Sequence, residues 1–197
     1  MVNPNLRAER TDSIIEAVLS ELAAVGYGQL SMDGVARRAK AGKSALYRRW
    51  PSKQEMILDA VSTISIPAVD VNESQDLRAV VALMVDAVEE WLTRGDNRRI
   101  LADLVAEALR NPELGEALTT RIGMMRRGYW SAVLEARIST GEVNAKADIE
   151  YALDLLGAPL FWRICGLRRE SDQALRDNVI RSILDTLATP AVGGTGR

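Results

Sequence analysis

The run Ser31 to Lys53, SMDGVARRAKAGKSALYRRWPSK, is more tightly punctuated than any other part of the chain. Ser31 suits a helix N-cap, and Asp33 falls in the first turn behind it, where a carboxylate meets the positive end of the helix dipole. Met32, Val35, Ala36 and Ala39 recur at helical spacing, so a short helix is predicted over Ser31 to Ala39. Lys40-Ala41-Gly42 breaks the pattern, and Gly42 is the residue there that adopts unusual backbone angles at least cost. Lys43 to Trp50 resumes a helix that buries Leu46 and Trp50. Pro51 stops it, and Ser52-x-x-Glu55 reads as a capping box for a further helix through Met56, Ile57, Ala60, Val61 and Ile64. Two short helices joined by a three-residue turn, with a third capped directly behind them, leave little room for another local fold.

Charge gives this hairpin a partner class. Between Ser31 and Lys53 the cations are Arg37, Arg38, Lys40, Lys43, Arg48, Arg49 and Lys53 against the single acid Asp33, although the whole chain has a formal net charge of −2. A helix of this kind fits the major groove of duplex DNA, where Lys and Arg reach phosphates or guanine edges. Small side chains at Ser44 and Ala45 let its backbone approach the bases, and Tyr47 supplies a phosphate hydrogen bond. The competing reading is a solvated basic face on an ordinary helical hairpin.

The residues around the hairpin carry a resemblance. A leading helix ending in Ala24-Val25-Gly26-Tyr27, then Ser31-Met32, and above all Leu46-Tyr47-Arg48-Arg49-Trp50-Pro51-Ser52-Lys53 is similar to the Leu-Tyr-x-x-Phe-x-x-Lys signature of the TetR family of bacterial transcriptional regulators. Roughly the first sixty residues resemble the DNA-binding domain of that family. The resemblance implies that Lys43, Ser44 and Ala45 face base edges while Ser31, Tyr47, Arg49 and Lys53 contact phosphates, with Arg48 suited to either task. Two positions depart from the pattern. Lys40 stands where the family often has Gly, so it either takes a left-handed conformation at about 1 kcal/mol or the turn is built differently. Ala45 replaces a common Thr or Ser and leaves only apolar contact with a thymine methyl.

Composition narrows the alternatives. The chain of 197 residues contains no histidine and one cysteine, Cys165, which excludes an internal disulfide, His-based catalytic triads, Cys–His dyads and the usual zinc sites. No Gly-rich phosphate loop or paired acidic motif is present, and no cofactor is expected. A helical-bundle enzyme of the di-iron type needs a Glu-x-x-His motif that this chain cannot supply. A helical protein-interaction module whose basic hairpin binds an acidic partner is the other alternative. No apolar stretch is long enough to span a bilayer, and the N-terminal MVNPNLRAER has no apolar signal core, so no membrane partner and a cytoplasmic location are expected.

Flanking segments complete an all-α reading: an N-terminal helix-turn-helix DNA-binding domain over 1–66, a helical ligand-binding and dimerisation domain over 74–189, and a flexible tail over 190–197. Asn5 to Val25 places Ile14, Ile15, Val18, Leu22 and Val25 on one stripe ending at Gly26. Ser65 to Ser74 loses periodicity. Helices are then predicted over Asp76 to Thr93, Asn97 to Arg110, Pro112 to Ser139 with Leu118, Ile122, Met125, Tyr129 and Val133 inward, Lys146 to Gly166, and Ser171 to Leu187.

The last two of these helices suit a homodimer. Tyr151 to Trp162 is apolar around much of its circumference, Gly157 and Ala158 permit close approach, and Pro159 kinks the helix. Two-fold symmetry would place two recognition helices about 34 Å apart, on successive major grooves of a palindromic operator. For a small-molecule effector of unknown identity, Met84, Trp91, Met125, Tyr129, Trp130 and Trp162 are the candidate lining residues, with Glu107, Arg126, Arg127 and Arg163 as candidate polar anchors. The resemblance implies the pocket; residue by residue, packing in the core is the better account of the apolar side chains, and surface exposure that of the four polar ones. The expected function is a ligand-responsive repressor released from DNA by its effector.

Overall fold

The computed structural model describes residues 4–64, 66, 71–72 and 75–191, without the side chains of residues 4–10, 122, 125 and 126. Among the described residues it is helical, with no strand. In chain order the helices are α1 (Pro4–Gln29), α2 (Met32–Arg38), α3 (Lys43–Arg49), α4 (Lys53–Thr63), α5 (Leu77–Thr93), α6 (Asn97–Ala108), α7 (Pro112–Leu118), α8 (Met124–Ala136), α9 (Ile149–Phe161) and α10 (Gln173–Ala188). Two π-helical segments interrupt them, Thr119–Gly123 before α8 and Trp162–Gly166 after α9. Two compact units result: Met1–Ser65 with Gly95–Gly123, and Ile66–Arg94 with Met124–Arg197. Helices α6 and α7 therefore belong with the first four helices, although they follow α5 in sequence.

The first unit is built around the buried stripe of α1. Ile14, Ile15, Val18 and Leu22 form a common core with Val35, Leu46, Trp50, Met56, Ile57, Ile100, Leu104 and Leu114. Gly26, at φ 75 and ψ 170, breaks the helix where a terminator was expected. Val25 does not join the stripe: it is 42% exposed, and Tyr27 and Leu30 beyond the break are buried in its place. A side chain at position 26 would start 2.6 Å from Asp103 Oδ1 of α6, so glycine serves both the backbone angle and the approach of that carboxylate.

In the second unit α5, α8, α9 and α10 enclose Val80, Val81, Met84, Val88, Trp91, Leu134, Leu153, Leu156, Leu160, Val179, Ile183 and Leu187, all buried. The expected single helix from Pro112 to Ser139 is divided by the π segment Thr119–Gly123, where two β-branched threonines and a glycine are poor α-helix formers. The wider turn adds one residue to the repeat, which shifts the inward face by about 100°. Trp130 and Leu134 are accordingly buried where Tyr129 and Val133 were expected, and Tyr129 is 41% exposed. Expected inward positions Ile122 and Met125 have side chains outside the described residues.

Polar side chains set the remaining helix starts. Asp76, Asp148 and Asp172 cap α5, α9 and α10 by accepting the backbone N–H groups of Ala79, Tyr151 and Leu175. The last two begin two or three residues later than the apolar periodicity suggested because these caps decide. Arg137, largely buried, donates to the Gln75 carbonyl at 2.6 Å and to Glu142 Oε2 at 2.9 Å, joining the approach to α5 to the turn after α8. No helix among the described residues is long and apolar enough to cross a membrane. The expected tail lies outside the described residues beyond position 191.

Candidate nucleic-acid interface

Helix α2 is fixed before α3 begins. Ser31 caps it, its hydroxyl accepting the Gly34 N–H at 3.1 Å, and the Arg38 guanidinium at its far end donates to Glu21 at 2.6 Å and Ser20 at 3.1 Å on α1. The turn that follows closes by two backbone bonds, Lys40 N–H to the Arg37 carbonyl and Ala41 N–H to the Ala36 carbonyl, at 3.2 and 2.9 Å. This is the Schellman arrangement, whose bend falls on one left-handed residue. That residue is Lys40, at φ 49. Gly42, expected to supply the unusual angles, is instead extended at φ −71 and ψ 136 and serves as the N-cap of α3. The left-handed alternative for Lys40 is therefore the one realised.

Helix α3 packs through Leu46, fully buried, while Lys43, Ser44, Tyr47, Arg48 and Arg49 are exposed and Ala45 is half-buried. Trp50 at its end is buried and donates Nε1–H to Asp59 of α4 at 2.8 Å. The structure thus gathers all the α3 candidates on one small helix with a single buried anchor. Tyr47, 54% exposed, is a large aromatic held out of the core.

Several cations are held by partners that sequence alone did not reveal. Lys43 Nζ donates to Asp33 of α2 at 2.5 Å. Arg49 donates to Thr11 of α1 at 2.6 Å and lies 4.8 Å from the centre of the Trp50 ring. Lys53 Nζ donates to the Tyr27 carbonyl at 2.9 Å and sits 4.4 Å from the centre of that ring. By contrast Arg37, Lys40 and Arg48 form no ion pair among the described residues. Thr11, Glu21 and Tyr27 lie too far along the chain for any local motif to have tied them to these cations.

Tyr27 is the junction of three helices. Its N–H, released by the break at Gly26, donates to Asp103 Oδ2 of α6 at 2.6 Å, while its carbonyl receives Lys53 at the start of α4. Burial, and then the nearby Glu107 carboxylate, push its phenol above the ordinary tyrosine range. The capping box at α4 is half made: Ser52 accepts the Glu55 N–H at 3.1 Å, but the Glu55 carboxylate accepts from Arg121 at 2.8 Å instead of turning back. Arg121 was invisible as a partner because it arrives from the π segment.

The proposed effector-lining residues all fall in the second unit but in different settings. Met84 and Trp91 of α5 and Trp130 of α8 are buried, and Tyr129 meets Trp130 edge-on with centroids 5.0 Å apart. Trp162, 61% exposed, covers Gly166, and the Met125 side chain is outside the described residues. The polar anchors are engaged locally. Arg127 donates to Glu150 and Asp154 of α9; burial opposes its charge, but these hydrogen bonds prevail and raise its pKa. Arg163 pairs with Asp172 at 3.6 Å and Glu107 with Arg110 at 2.8 Å, while the Arg126 side chain is outside the described residues.

Comparison with known proteins covers both halves. Residues 14–60 match the model of bacterial regulatory proteins of the tetR family, and residues 71–186 match the tetracyclin repressor-like C-terminal domain. An HTH-type transcriptional regulator of Mycobacterium bovis is 28% identical over 186 residues, covering 90% of this chain and 89% of its own. The DNA-binding transcriptional repressor TetR of Mycobacteroides abscessus is 25% identical over 189 residues, covering 92% and 95%. Among solved structures, FadR of Bacillus subtilis in complex with stearoyl-CoA has a TM-score of 0.72 at 18% identity, over 88% of this chain and 97% of that one, a likeness of fold.

Proposed function

We propose, for a chain that belongs to the tetR family of bacterial regulatory proteins, that it is a repressor which binds a palindromic operator as a homodimer and is released by a small-molecule effector. DNA binding and transcription regulation are the activity of the family, which is not a family of enzymes. The observation that carries the DNA-binding part of this reading is α3: a seven-residue helix anchored by Leu46 that presents Lys43, Ser44, Tyr47, Arg48 and Arg49 on its exposed side.

In this reading Lys43, Ser44 and Ala45 meet base edges in the major groove. Tyr47, Arg48 and Arg49 hold phosphates, joined by Ser31 at the N-cap of α2 and Lys53 from α4. Lys53 has three donors and uses one on Tyr27, so a phosphate contact does not require it to leave its place. A duplex DNA partner supports a cytoplasmic location for the chain.

The repressor assignment is supported by the relative from Mycobacteroides abscessus, which carries that description. The effector assignment is supported by the FadR complex, where the same fold accommodates an acyl thioester, and by the mixed aromatic and Met content of α5 and α8. Homodimerisation is supported by Tyr151 and Trp162, large apolar side chains left exposed near the two ends of α9. Effector release would follow if the ligand favours a conformation in which the two α3 helices no longer match the groove spacing. The contact of α6 with Tyr27 through Asp103 is where that change would reach α1 and α4.

Native mass spectrometry of the purified chain tests the assembly. A dimer that retains or takes up a small molecule is the expected result. A monomer at high concentration would contradict the two-fold reading of the operator.

A further inference from the structure

We propose that Asp33 is the specificity-determining residue of the DNA interface: it holds the Lys43 ammonium so that the lysine reads a guanine edge and is kept from neighbouring phosphates. The inference rests on the DNA-binding reading of α3. Between Ser31 and Lys53 there are seven cations and one acid, and that acid bonds the one cation at the head of α3, Nζ to Oδ2 at 2.5 Å.

The two partners differ in freedom. Asp33 sits on a short stem in the first turn of a helix capped by Ser31 and tied to α1 by Arg38. Lys43 has a flexible four-carbon stem, so the carboxylate decides where the ammonium rests. Lys43 also opens α3, whose N-cap is Gly42 without a side-chain hydrogen bond and whose first turn has no acid. A cation there opposes the helix dipole, and Asp33 supplies from α2 the negative charge that α3 lacks.

Both side chains are exposed, 63% for Lys43 and 45% for Asp33, so the pair adds little to folding. Its consequence lies at the interface. An ammonium has three donors; with one held by Asp33, two remain, matching the N7 and O6 acceptors that guanine presents in the major groove. The same carboxylate repels phosphates, which lowers binding to DNA of arbitrary sequence.

Asp33→Asn keeps the shape and removes the charge. Operators selected by the unaltered protein should require guanine at one position per half-site, and the variant should lose that preference by roughly fivefold or more. Its affinity for random duplex should rise, and the slope of log K against log salt should steepen by about 0.9 as Lys43 moves to a phosphate. Asp33→Glu, which retains the charge, should keep weak random binding. In a Lys43→Gln background, Asp33→Asn should no longer alter the base preference. Circular dichroism on each variant reports folding.

An unaltered guanine requirement and salt slope in Asp33→Asn overturn the inference while leaving DNA binding intact. An equal loss of specific and random affinity in a folded variant also overturns it, since that is the signature of a structural role. If the unaltered protein selects no sequence, the failure lies instead with the underlying DNA reading.

Discussion

Lys40 holds a backbone conformation that a residue with a side chain disfavours. It takes the left-handed position of the turn at φ 49, where glycine is ordinarily favoured. Lys40→Gly should raise the unfolding free energy by about 0.5–1 kcal/mol, the relief of left-handed strain being partly offset by the greater freedom of glycine in the unfolded chain. Urea denaturation measures this; no change or a loss would mean that Lys40 is stabilised by contacts outside the turn. For DNA, Tyr47→Phe and Lys53→Ala are expected to weaken binding to all sequences, whereas Lys43→Ala should also relax preference at one base position. Fluorescence anisotropy on a selected duplex and its single-site variants separates the two patterns.

At the scale of elements, much of the hairpin was legible. Ser31, Pro51 and Ser52 are local signals, and the helix bounds they imply lie within a residue or two of those found. In the turn the departure at Lys40 pointed to the left-handed residue, whereas glycine preference alone pointed wrongly to Gly42; the bond from Ala41 to Ala36 that sets the bend at Lys40 is not written in the sequence. The face of α8 was misjudged by one residue because a π turn adds to the count, and nothing in a 3.6-residue periodicity announces it. The long-range partners were not legible at all: Arg38 meets Glu21, Lys53 meets the Tyr27 carbonyl, and the Tyr27 N–H meets Asp103 at a separation of 76 residues. Asp103→Ala removes the acceptor of the Tyr27 N–H and should cost about 1–3 kcal/mol, again by urea denaturation. A smaller cost would mean that water replaces the carboxylate and that the junction of α1, α4 and α6 is loosely held.

At the scale of the whole molecule, acid sensitivity has a defined contributor in the second unit. The Thr140 hydroxyl, followed by the Arg137 guanidinium and the Leu77 N–H, outweighs burial and holds the Glu142 carboxyl below its usual 4.5. A carboxyl depressed on folding contributes stability that is present above its unfolded value and lost as pH falls through its folded one. The thermal midpoint should therefore fall on acidification below about pH 4.5, and less steeply in Glu142→Gln. Equal slopes would show that other carboxyls dominate.

The central claim, that α3 reads duplex DNA in a two-fold pair, is tested most directly by selecting ligands for the purified chain from a pool of random duplexes and titrating the winner against salt. The expected result is an enriched palindrome whose half-site centres lie about 10 base pairs or a multiple apart, bound with a log–log salt slope of about −0.9 for each phosphate neutralised. Failure to enrich any sequence, or binding that is insensitive to salt, would contradict it.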